Sequence, residues 1–362
     1  MVAENFIIGQ KMWSKISSLA TAIAGLSLAA SPQVAAQSSS APVHLDVATQ
    51  ALTTQAPLFI AQEKRYFAEE HLDVAFQFIG GGTVNLQALA IKQADIATGS
   101  PSPALWNAVA RGIPIKVTAA ISSLSPDPAT GFTSAMWLVL STQTPAKGPI
   151  KSYADLKGRT IGVLGRGLGA EIFVDAALQK GGLTLKDAEL KEVRGPDVYV
   201  AFTNGAVDAA TEIEPFVTLG ADKGLLVRWK NAAELTPGRV AAVMMFGPRL
   251  SDRTDDVGAR FMTAWTRAAR DYNDAFGPKH LDEDRIVKIL TTYTDVKDPA
   301  LYRRMTWHYI DPNCTTATDV LKLDLDWDVA HGYVPTKPDL GAAIDDRYCQ
   351  SALKTLGRYS TH

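Results

Sequence analysis

The stretch TIGVLGRGLGAEIFVDAAL, residues 160–178, holds the pattern on which the fold class depends. Its apolar start predicts a short β-strand, a glycine-rich loop follows, and a helix is predicted from Ala170. Gly165, Gly167 and Ala170 fit the G-x-G-x-x-A spacing that is typical of a dinucleotide-binding turn. The same order of strand, loop and helix also suits a site for a small anion, because a helix N-terminus presents unpaired N–H groups.

A dinucleotide site has one further feature in its favour and two against it. Glu192 follows the loop by about 20 residues, near the end of the next predicted strand, where a ribose contact is expected. The loop, however, lies in the middle of the chain, and the further strands of a complete dinucleotide-binding sheet are not evident after it. We therefore keep NAD binding as an alternative and favour a loop that binds no nucleotide.

Length and composition indicate an ordinary globular protein. The chain has 362 residues, of which 46% are hydrophobic and 20% are charged, and this length suggests about two domains. The formal net charge is −2, so the chain has no broad basic surface that would attract nucleic acid. Any anion-binding site must therefore be local.

The N-terminal segment has the pattern of a secretory signal peptide. Lys11 and Lys15 precede an apolar stretch rich in small residues, 16–30, and the Val-Ala-Ala sequence that ends at Ala36 fits a cleavage site. We expect residues 1–36 to be removed and residues 37–42 to form a Ser-rich linker. An uncleaved membrane anchor is the alternative, although the apolar stretch is short for a membrane span. Whether translation starts at Met1 or at Met12 stays open.

The rest of the chain predicts two α/β units and a helical tail. In the first unit strands alternate with helices, which indicates a mainly parallel sheet covered by helices. A segment rich in Ser, Pro and Gly, 122–132, precedes the second unit. The predicted strands are 43–49, 72–79, 94–99 and 115–121 in the first unit, and 135–142, 161–164, 188–194, 207–215, 225–229 and 239–246 in the second; the late helices are 256–276, 282–292 and 321–331.

Small or polar residues follow most of the predicted strands. In open α/β sheets ligands bind outside the carboxyl ends of the strands, so these loops hold the candidate binding residues. Two such units that face each other would bring the loops to one cleft. The loops are Gln50–Gln55, Gly80–Gly82, Gly99–Ser100, Ser122–Ser123, Gly165–Gly169 and the position of Glu214.

The polar residues of these loops each have a structural alternative to a role in binding. Arg166 offers a fork of donors to a sulfonate, carboxylate or nitrate, or it is a solvated loop arginine. Thr53, Thr54 and Gln55 offer hydroxyl and amide groups to a ligand, or one of the threonines caps the next helix. Glu214 binds a ligand amine, or it forms a salt bridge beside the hinge.

The sequence gives little support to catalysis. The six histidines are scattered and form no metal-binding motif, and no G-x-S-x-G elbow occurs. We therefore expect neither a metal nor a cofactor, and we assign no catalytic residue. Trp307, His308 and Tyr309 form an aromatic cluster, which we interpret as packing, with ligand stacking as the alternative.

Several stretches, taken in order, resemble a known family across essentially the whole mature chain. They are APLFIAQEK through ATGS (56–100), ARGIPIKVTAAI (110–121), IKSYADLKGRTIGV (150–163), AALQKGGLTLKDAEL (176–190), NGAVDAATEIEPF (204–216) and DLDWDVAHGYV (324–334). Each is short, but together their order and spacing are specific. They are similar to the nitrate, sulfonate and taurine type of periplasmic substrate-binding proteins of ABC transporters, in the superfamily that includes alkanesulfonate-binding proteins and thiamin-pyrimidine synthases.

The resemblance implies a two-domain periplasmic binding protein fold of type II. Each domain would be a mainly parallel sheet flanked by helices, with the ligand cleft between the domains. Residues 42–136 and 245–362 would form the first domain and 137–244 the second, with crossings near Met136 and Met245. The resemblance also implies a periplasmic monomer without a cofactor. It would capture a small organic anion of the sulfonate, taurine, nitrate or carboxylate class by hinge closure and deliver it to an ABC permease that has a cytoplasmic ATPase.

The ligand-binding positions that the resemblance transfers to this chain lie in the loops already singled out. The cysteines, which from the residues alone are either bonded or free, are implied to form a disulfide, because Cys314 stands where relatives often carry glycine and Cys349 is its only partner. The implied ligand-binding residues are Gln50, Thr53, Thr54, Gln55, Gly81, Gly82, Ser100, Arg166, Gly167, Gly169 and Glu214.

Two other functions are possible for this fold. A few proteins that share it are enzymes, such as the desulfinase of aromatic sulfinates and the thiamin-pyrimidine synthases of fungi, and these use cysteines that the loop Gln50–Gln55 does not contain. A sensor or adaptor that binds its ligand without transport is the second alternative. The binding protein is the interpretation that we favour.

Overall fold

A computed structural model of the protein describes residues 41–125, 127–143 and 147–360. The expected signal peptide and most of the expected linker lie outside these residues. In the described part of the chain, no helix has the length and apolar character needed to cross a membrane. The strands are β1 Val43–Thr49, β2 Leu72–Phe78, β3 Ile96–Gly99, β4 Lys116–Ser123, β5 Met136–Ser141, β6 Thr160–Val163, β7 Glu189–Glu192, β8 Ala209–Ile213, β9 Leu226–Asn231 and β10 Val240–Phe246.

Helices connect and cover the strands. The helices are α1 Ala56–Glu63, α2 Tyr66–Glu69, α3 Gly82–Ala90, α4 Pro103–Ala110, α5 Gly169–Lys180, α6 Asp197–Thr203, α7 Phe216–Asp222, α8 Ala232–Leu235, α9 Pro248–Ser251, α10 Val257–Phe276, α11 Glu283–Tyr293, α12 Pro299–Tyr302, α13 Thr318–Ala330, α14 Leu340–Ala343 and α15 Arg347–Leu356. Short 3₁₀ turns span Thr53–Gln55, Pro128–Thr130, Tyr153–Leu156 and Leu185–Asp187.

Two five-stranded sheets form the framework, and we call each sheet with its helices a lobe. The first sheet has the strand order β2-β1-β3-β10-β4, and the second has the order β7-β6-β8-β5-β9. In the first sheet, β1 runs parallel to β2 and β3, while β10 is antiparallel to β3 and β4. In the second, β6 is parallel to β7 and β8, and β5 is antiparallel to β8 and β9. The protein is thus α/β with two mixed sheets, as the fold class predicted.

One strand belongs to a different sheet from the one that the sequence pattern indicated. The run 239–246 was expected in the second unit, but β10 lies between β3 and β4 of the first sheet. All but one of its seven residues are buried, so the run lacks the apolar–polar alternation that ties a strand to one exposed face. The hydrogen-bond partners of such a strand are set by tertiary packing.

Helices cover both faces of the first sheet, and α13 has a special place among them. Its Leu321 and Leu325 are fully buried in the same cluster as Ala97 and Val117 of the first sheet, and Val334, just beyond the helix, joins them. This packing fixes α13 to the first lobe. Since Leu321 and Leu325 are four residues apart, they share one face of the helix, and the polar residues on its other side are free to meet the second lobe.

Two smaller expectations are settled by the packing. Cys314 and Cys349 form a disulfide with their Cα atoms 5.3 Å apart, as the resemblance implied. Trp307 stacks on Phe276 with ring centroids 3.8 Å apart, and burial lowers the pKa of His308 to about 4, which supports the packing interpretation of this aromatic cluster.

The expectation that a threonine caps the next helix is wrong. Gln55 precedes α1 as its N-cap, and no side chain caps this helix end, because Thr53 is drawn into the 3₁₀ turn before α1. Ser102 does cap α4, because its hydroxyl accepts a hydrogen bond from the N–H of Leu105 at 3.4 Å.

Candidate functional site

Two adjoining hollows lie between the lobes, at the carboxyl ends of the strands. They share Ser100 and Leu168, and they have volumes of about 80 Å³ and about 290 Å³. The first is lined by Ser100, Pro101, Leu124, Met136, Leu164, Leu168, Gly169, Ala170, Thr236, Arg239, Val240 and Ala241. The second is lined by Gly81, Gly82, Thr83, Val84, Ser100, Ser102, Leu168 and Arg194. We call the two hollows together the cleft.

The first-lobe wall of the cleft is built from the starts of α3 and α4. A Cβ on Gly99 would lie 3.0 Å from the Cα of Gly82, so the first turn of α3 packs directly on the end of β3. The first N–H groups of a helix have no acceptor within the helix. Beside them stand the hydroxyls of Thr83, Ser100 and Ser102, so this wall is rich in hydrogen-bond donors.

The second-lobe wall is the start of α5 with the apolar residues before it. Leu168 extends into both hollows, and Gly169 has open space where a side chain would stand. Leu164 and Ala170 continue this wall next to Met136. The cleft therefore offers an apolar surface opposite a polar one, a combination that fixes the orientation of a small ligand.

The charged side chains among the described residues that line the cleft are both arginines. Arg194 stands at the mouth with its side chain 63% exposed, and its Nη2 lies 3.8 Å from a carboxylate oxygen of Glu192. Arg239 is largely buried and forms an ion pair with Asp324 of α13. Burial lowers the pKa of Arg239 from so high a value that the guanidinium stays charged. Each guanidinium thus has a carboxylate beside it, and its remaining N–H groups are donors that a ligand can accept from.

Several buried polar atoms in the first lobe have no hydrogen-bond partner among the described residues, and three of them belong to residues of the loops, strands or helices beside the cleft. These three are Oε1 of Gln55, Oδ1 of Asn85 and Oγ of Ser122. A buried polar atom without a partner is costly, so water or a ligand is expected to supply one. Gln55 follows β1 and Ser122 lies near the end of β4, at the same sheet edge as the cleft.

The glycine loop contains an internal anion that the sequence analysis did not identify. Glu171 is fully buried, and one of its oxygens accepts a hydrogen bond from the N–H of Gly167 at 2.6 Å. Its other oxygen lies 2.9 Å from Nη2 of Arg166. A carboxylate in the first turn of a helix is stabilised by the helix dipole. The start of α5 and Arg166, both expected to bind a ligand anion, thus have a protein carboxylate as partner.

The predicted site residues fall into two groups. Gly81, Gly82, Ser100 and Gly169 line the cleft. The remaining predicted residues lie outside its lining, and a ligand role for them stays a prediction. They are Gln50, Thr53, Thr54, Gln55, Arg166, Gly167 and Glu214.

Glu214 is buried among partners of its own. Its Oε2 accepts a hydrogen bond from the N–H of Thr218 at 2.9 Å, and its Oε1 accepts one from the N–H of Thr306 at 3.3 Å and lies 3.8 Å from Nη2 of Arg228. Burial raises the pKa of Glu214, while the hydrogen bonds from Thr218 and Thr306 oppose that rise. This arrangement matches the salt-bridge alternative for Glu214.

The dinucleotide alternative loses its supporting feature. Glu192, expected at a ribose, instead accepts a hydrogen bond from the backbone N–H of Arg166 at 3.2 Å. The second sheet also contains the antiparallel strand β5 between β8 and β9, whereas a dinucleotide-binding sheet is parallel. The glycine spacing therefore serves a tight turn between strand and helix.

The residues that sequence reasoning missed are Glu171, Arg194, Arg239 and Tyr333. An acidic residue in the first turn of a predicted helix indicates an N-terminal charge interaction, and that signal was present for Glu171. Tyr333 lies in the stretch 324–334, which entered only as part of the resemblance. Arg194 and Arg239 had no local signal, because their place in the cleft depends on how the lobes meet.

Comparison with solved structures identifies the class of fold. The structure is similar to the periplasmic aliphatic sulphonate binding protein SsuA of Escherichia coli, with a TM-score of 0.66, 17% identity, and coverage of 84% of this chain and 92% of that one. It is also similar to the periplasmic nitrate-binding protein NrtA of Synechocystis PCC 6803, with a TM-score of 0.69, 14% identity, and coverage of 87% and 89%. A DszB mutant in complex with biphenyl-2-sulfinic acid shares the fold as well, at a TM-score of 0.58 and 15% identity over 86% of this chain and 99% of that one. The fold is that of the periplasmic binding proteins.

The family follows from the sequence. Residues 53–273 match the family described as NMT1/THI5 like, and the chain belongs to this family. A Brucella abortus protein named as a binding protein is 30% identical over 151 residues, which are 42% of this chain and 41% of that protein. The chain thus spans less than half the length of this curated relative.

Proposed function

We propose that this protein is a periplasmic solute-binding protein that captures a small organic anion in the cleft and delivers it to an ABC permease. The observation that carries the proposal is the lining of the cleft, where two arginines, four hydroxyl side chains and the starts of three helices face apolar side chains. A charged or strongly polar head group would bind the donors. A short hydrocarbon part would pack against the apolar wall.

The relatives support the same ligand class. Sulfonate and nitrate, for which SsuA and NrtA are named, are anions that accept several hydrogen bonds at once. The volumes of the two hollows, about 80 Å³ and about 290 Å³, lie below the range of about 300 to 1,000 Å³ that is typical of pockets for drug-sized ligands, so they suit a small solute. We include sulfonates, taurine, nitrate and small carboxylates in the class.

Capture would proceed by closure of the lobes. The cleft has a wall on each lobe, so a ligand that contacts both walls stabilises the closed arrangement over the open one. A ligand shifts such an equilibrium by its extra contacts in the closed state. The parts that would move are the two expected domains, 42–136 with 245–362 and 137–244. We move the second crossing between them from Met245 to Val240, where β10 begins.

An enzyme on the same fold is the competing proposal, because DszB shares the fold. Thiol chemistry of that kind needs a free cysteine in the cleft. Both cysteines of this chain form the disulfide between Cys314 and Cys349, and neither lines the cleft. We therefore favour binding without chemical conversion.

A thermal-shift screen of the chain from Gln37 onward tests the proposal. The panel contains propanesulfonate, taurine, nitrate, aromatic and aliphatic carboxylates, a pyrimidine, NAD and NADH. A ligand that binds the folded state raises the melting temperature by mass action. We expect a shift with one class of anion, with the ligand recovered unchanged. A shift with NADH alone, or chemical conversion of the ligand, would contradict the proposal.

A further inference from the structure

A network of side chains joins the lobes on one side of the cleft. Tyr333, which follows the first-lobe helix α13, donates its hydroxyl hydrogen to Glu171 of α5, with the Oη 2.9 Å and 3.1 Å from the two carboxylate oxygens. The Nε of Arg166 donates in turn to the Oη of Tyr333 at 3.0 Å. The backbone carbonyl of Tyr333 accepts a hydrogen bond from the side chain of Asn107 in α4 at 3.0 Å. Tyr333 is therefore held by both lobes.

A second contact lies one helical turn farther along α5. The Nε1 of Trp327 in α13 donates to a carboxylate oxygen of Asp175 at 2.8 Å. Glu171 and Asp175 are four residues apart, so they lie on the same face of α5. Two carboxylates of the second lobe thus bind two donors of the first lobe.

Asp328 gives this network an unusual charge balance. Its side chain is almost completely buried, and its Oδ1 has no hydrogen-bond partner among the described residues. The carboxylate of Glu171 is close enough to disfavour a second negative charge there. A buried carboxyl group beside another carboxylate binds a proton more readily.

We propose that Tyr333 and Glu171 are positioning residues of a clasp that holds the lobes closed, and that a proton on Asp328 is part of the closed clasp. This inference rests on the proposed function, because it assumes that the lobes open and close. Closure would then take up one proton, and the closed state would be weakened when Asp328 carries a negative charge beside Glu171.

The pKa of Asp328 agrees with this role. The pKa of Asp328 is raised to about 7, first by burial and then by the negative charge of Glu171, while Arg239 opposes the rise. An aspartate in solution has a pKa near 4, so opening would release the proton over most of the pH range from about 4 to about 7. The closing equilibrium is therefore expected to weaken by up to about tenfold per pH unit as the pH rises towards 7, and to be flat above it.

Other charged groups around Asp328 do not remove this dependence. On the α5 side it faces one carboxylate, Glu171, and through it one arginine. From the segment before β10 it faces a second arginine, which also interacts with Asp175 and forms an ion pair with Asp324. His331 is exposed at the end of α13, three residues from Asp328, so the experiment uses a His331→Gln background that has no imidazole there. The groups are Glu171, Asp175, Arg166, Arg239, Asp324 and His331.

The experiment measures the distance between the lobes without a ligand. Spin labels are placed on Gln87→Cys of α3 and Asn204→Cys at the end of α6, which are both exposed, while the native cysteines stay bonded. Pulsed electron spin resonance is recorded at about pH 5.5, inside the pKa range given above, and at about pH 8, above it. In the parent protein we expect the population with the longer distance to rise at least about tenfold between these pH values.

Four variants separate the clasp from a general structural effect. Tyr333→Phe is expected to show the longer distance at both pH values, and Asp328→Asn the shorter distance at both. Glu171→Gln keeps an amide oxygen that can accept the hydrogen bond of Tyr333 but removes the charge beside Asp328, so its distances should depend less on pH than those of the parent. The matched control is Tyr293→Phe, which removes a tyrosine–glutamate hydrogen bond of 2.8 Å to Glu63 within the first lobe, and it should behave like the parent. Melting temperatures identify any variant that fails to fold.

The proposal is overturned if Tyr333→Phe has the same distances as the parent, or if Asp328→Asn keeps the pH dependence. Failure of the proposed function has a different signature. In that case propanesulfonate, taurine, nitrate and the carboxylates leave the distance between the labels unchanged in every variant. The distance in the unliganded protein still depends on Tyr333 and on pH.

Discussion

Gly167 is the point at which the glycine loop of the second lobe touches the first lobe, and its replacement by alanine should separate the lobes. The residue has a φ of +68°, and a Cβ there would lie 2.5 Å from Cγ and 3.1 Å from Cδ of Pro103, the first residue of α4. It would also lie 3.2 Å from Cγ of Tyr333. A proline ring has no other rotamer into which it could move, so the lobes must shift to relieve the overlap.

The size of the effect can be divided into two parts. The left-handed conformation costs an alanine about 1 to 2 kcal/mol, and overpacking of this kind costs about 1 to 3 kcal/mol more. Gly205 provides the control, because its φ is +66° and nothing lies within 4 Å of the position of a Cβ. Gly205→Ala therefore carries the strain without the overlap. The difference of about 1 to 3 kcal/mol corresponds to a shift of roughly 5- to 150-fold towards the open arrangement.

Small-angle X-ray scattering of the two variants measures this shift towards the open arrangement. A compact chain of this length has a radius of gyration of roughly 20 Å. Gly167→Ala is expected to give a larger value than the parent, and Gly205→Ala the same value, while urea unfolding shows a loss of about 1 to 2 kcal/mol in the control. Identical scattering curves for the two alanine variants would refute the contact between the glycine loop and α4.

Three further predictions concern stability and binding. Replacing both Cys314 and Cys349 by serine should lower the free energy of unfolding in urea by about 4 kcal/mol, the chain-entropy value for a sequence separation of 35 residues; an unchanged midpoint would contradict it. Arg194→Ala should lower the affinity for the anion that gives the largest shift in the thermal-shift screen roughly 5- to 30-fold, as measured by calorimetric titration. Arg285→Ala, an arginine of similar exposure that also lies 3.8 Å from a carboxylate, should not weaken it. Burial raises the pKa of Glu212 to about 8, above its unfolded value, so its contribution to stability is lost as the pH rises from about 4.5 to about 8, by up to ~1.4 kcal/mol per pH unit. Glu212→Gln should flatten the stability profile in that window, and an unchanged slope would exclude a protonated Glu212.

Much of the fold could be predicted from the sequence because its elements are strongly patterned. Residues 43–49 were predicted as a strand and are β1, and the predicted helix 256–276 is α10, Val257–Phe276. The glycines and prolines between such runs punctuate the chain, so the order of elements was readable. The sheet to which β10 belongs could not be predicted, because a strand buried on both faces has no sequence pattern that indicates its partner strands.

The candidate site was predictable only in part. Gly82 and Ser100 were identified because the loops after parallel strands meet at one edge of a sheet. The partner of Arg166 could not be identified, because Glu171 is one of many acidic residues in the chain. Only its complete burial shows that it needs a cation or hydrogen-bond donors as partners. Tyr333 is distant from the glycine loop in sequence, so its contact depends on tertiary structure alone.

The central claim, that the cleft between the lobes binds a solute, is tested most directly by calorimetric titration of the parent protein and of Ser100→Trp. Ser100 lines both hollows, and an indole there would fill the space at which they join. We expect one equivalent of the anion identified in the thermal-shift screen to bind the parent protein, and no binding to a Ser100→Trp variant whose melting temperature is unchanged. Equal binding to both proteins would place the ligand elsewhere and would contradict the account.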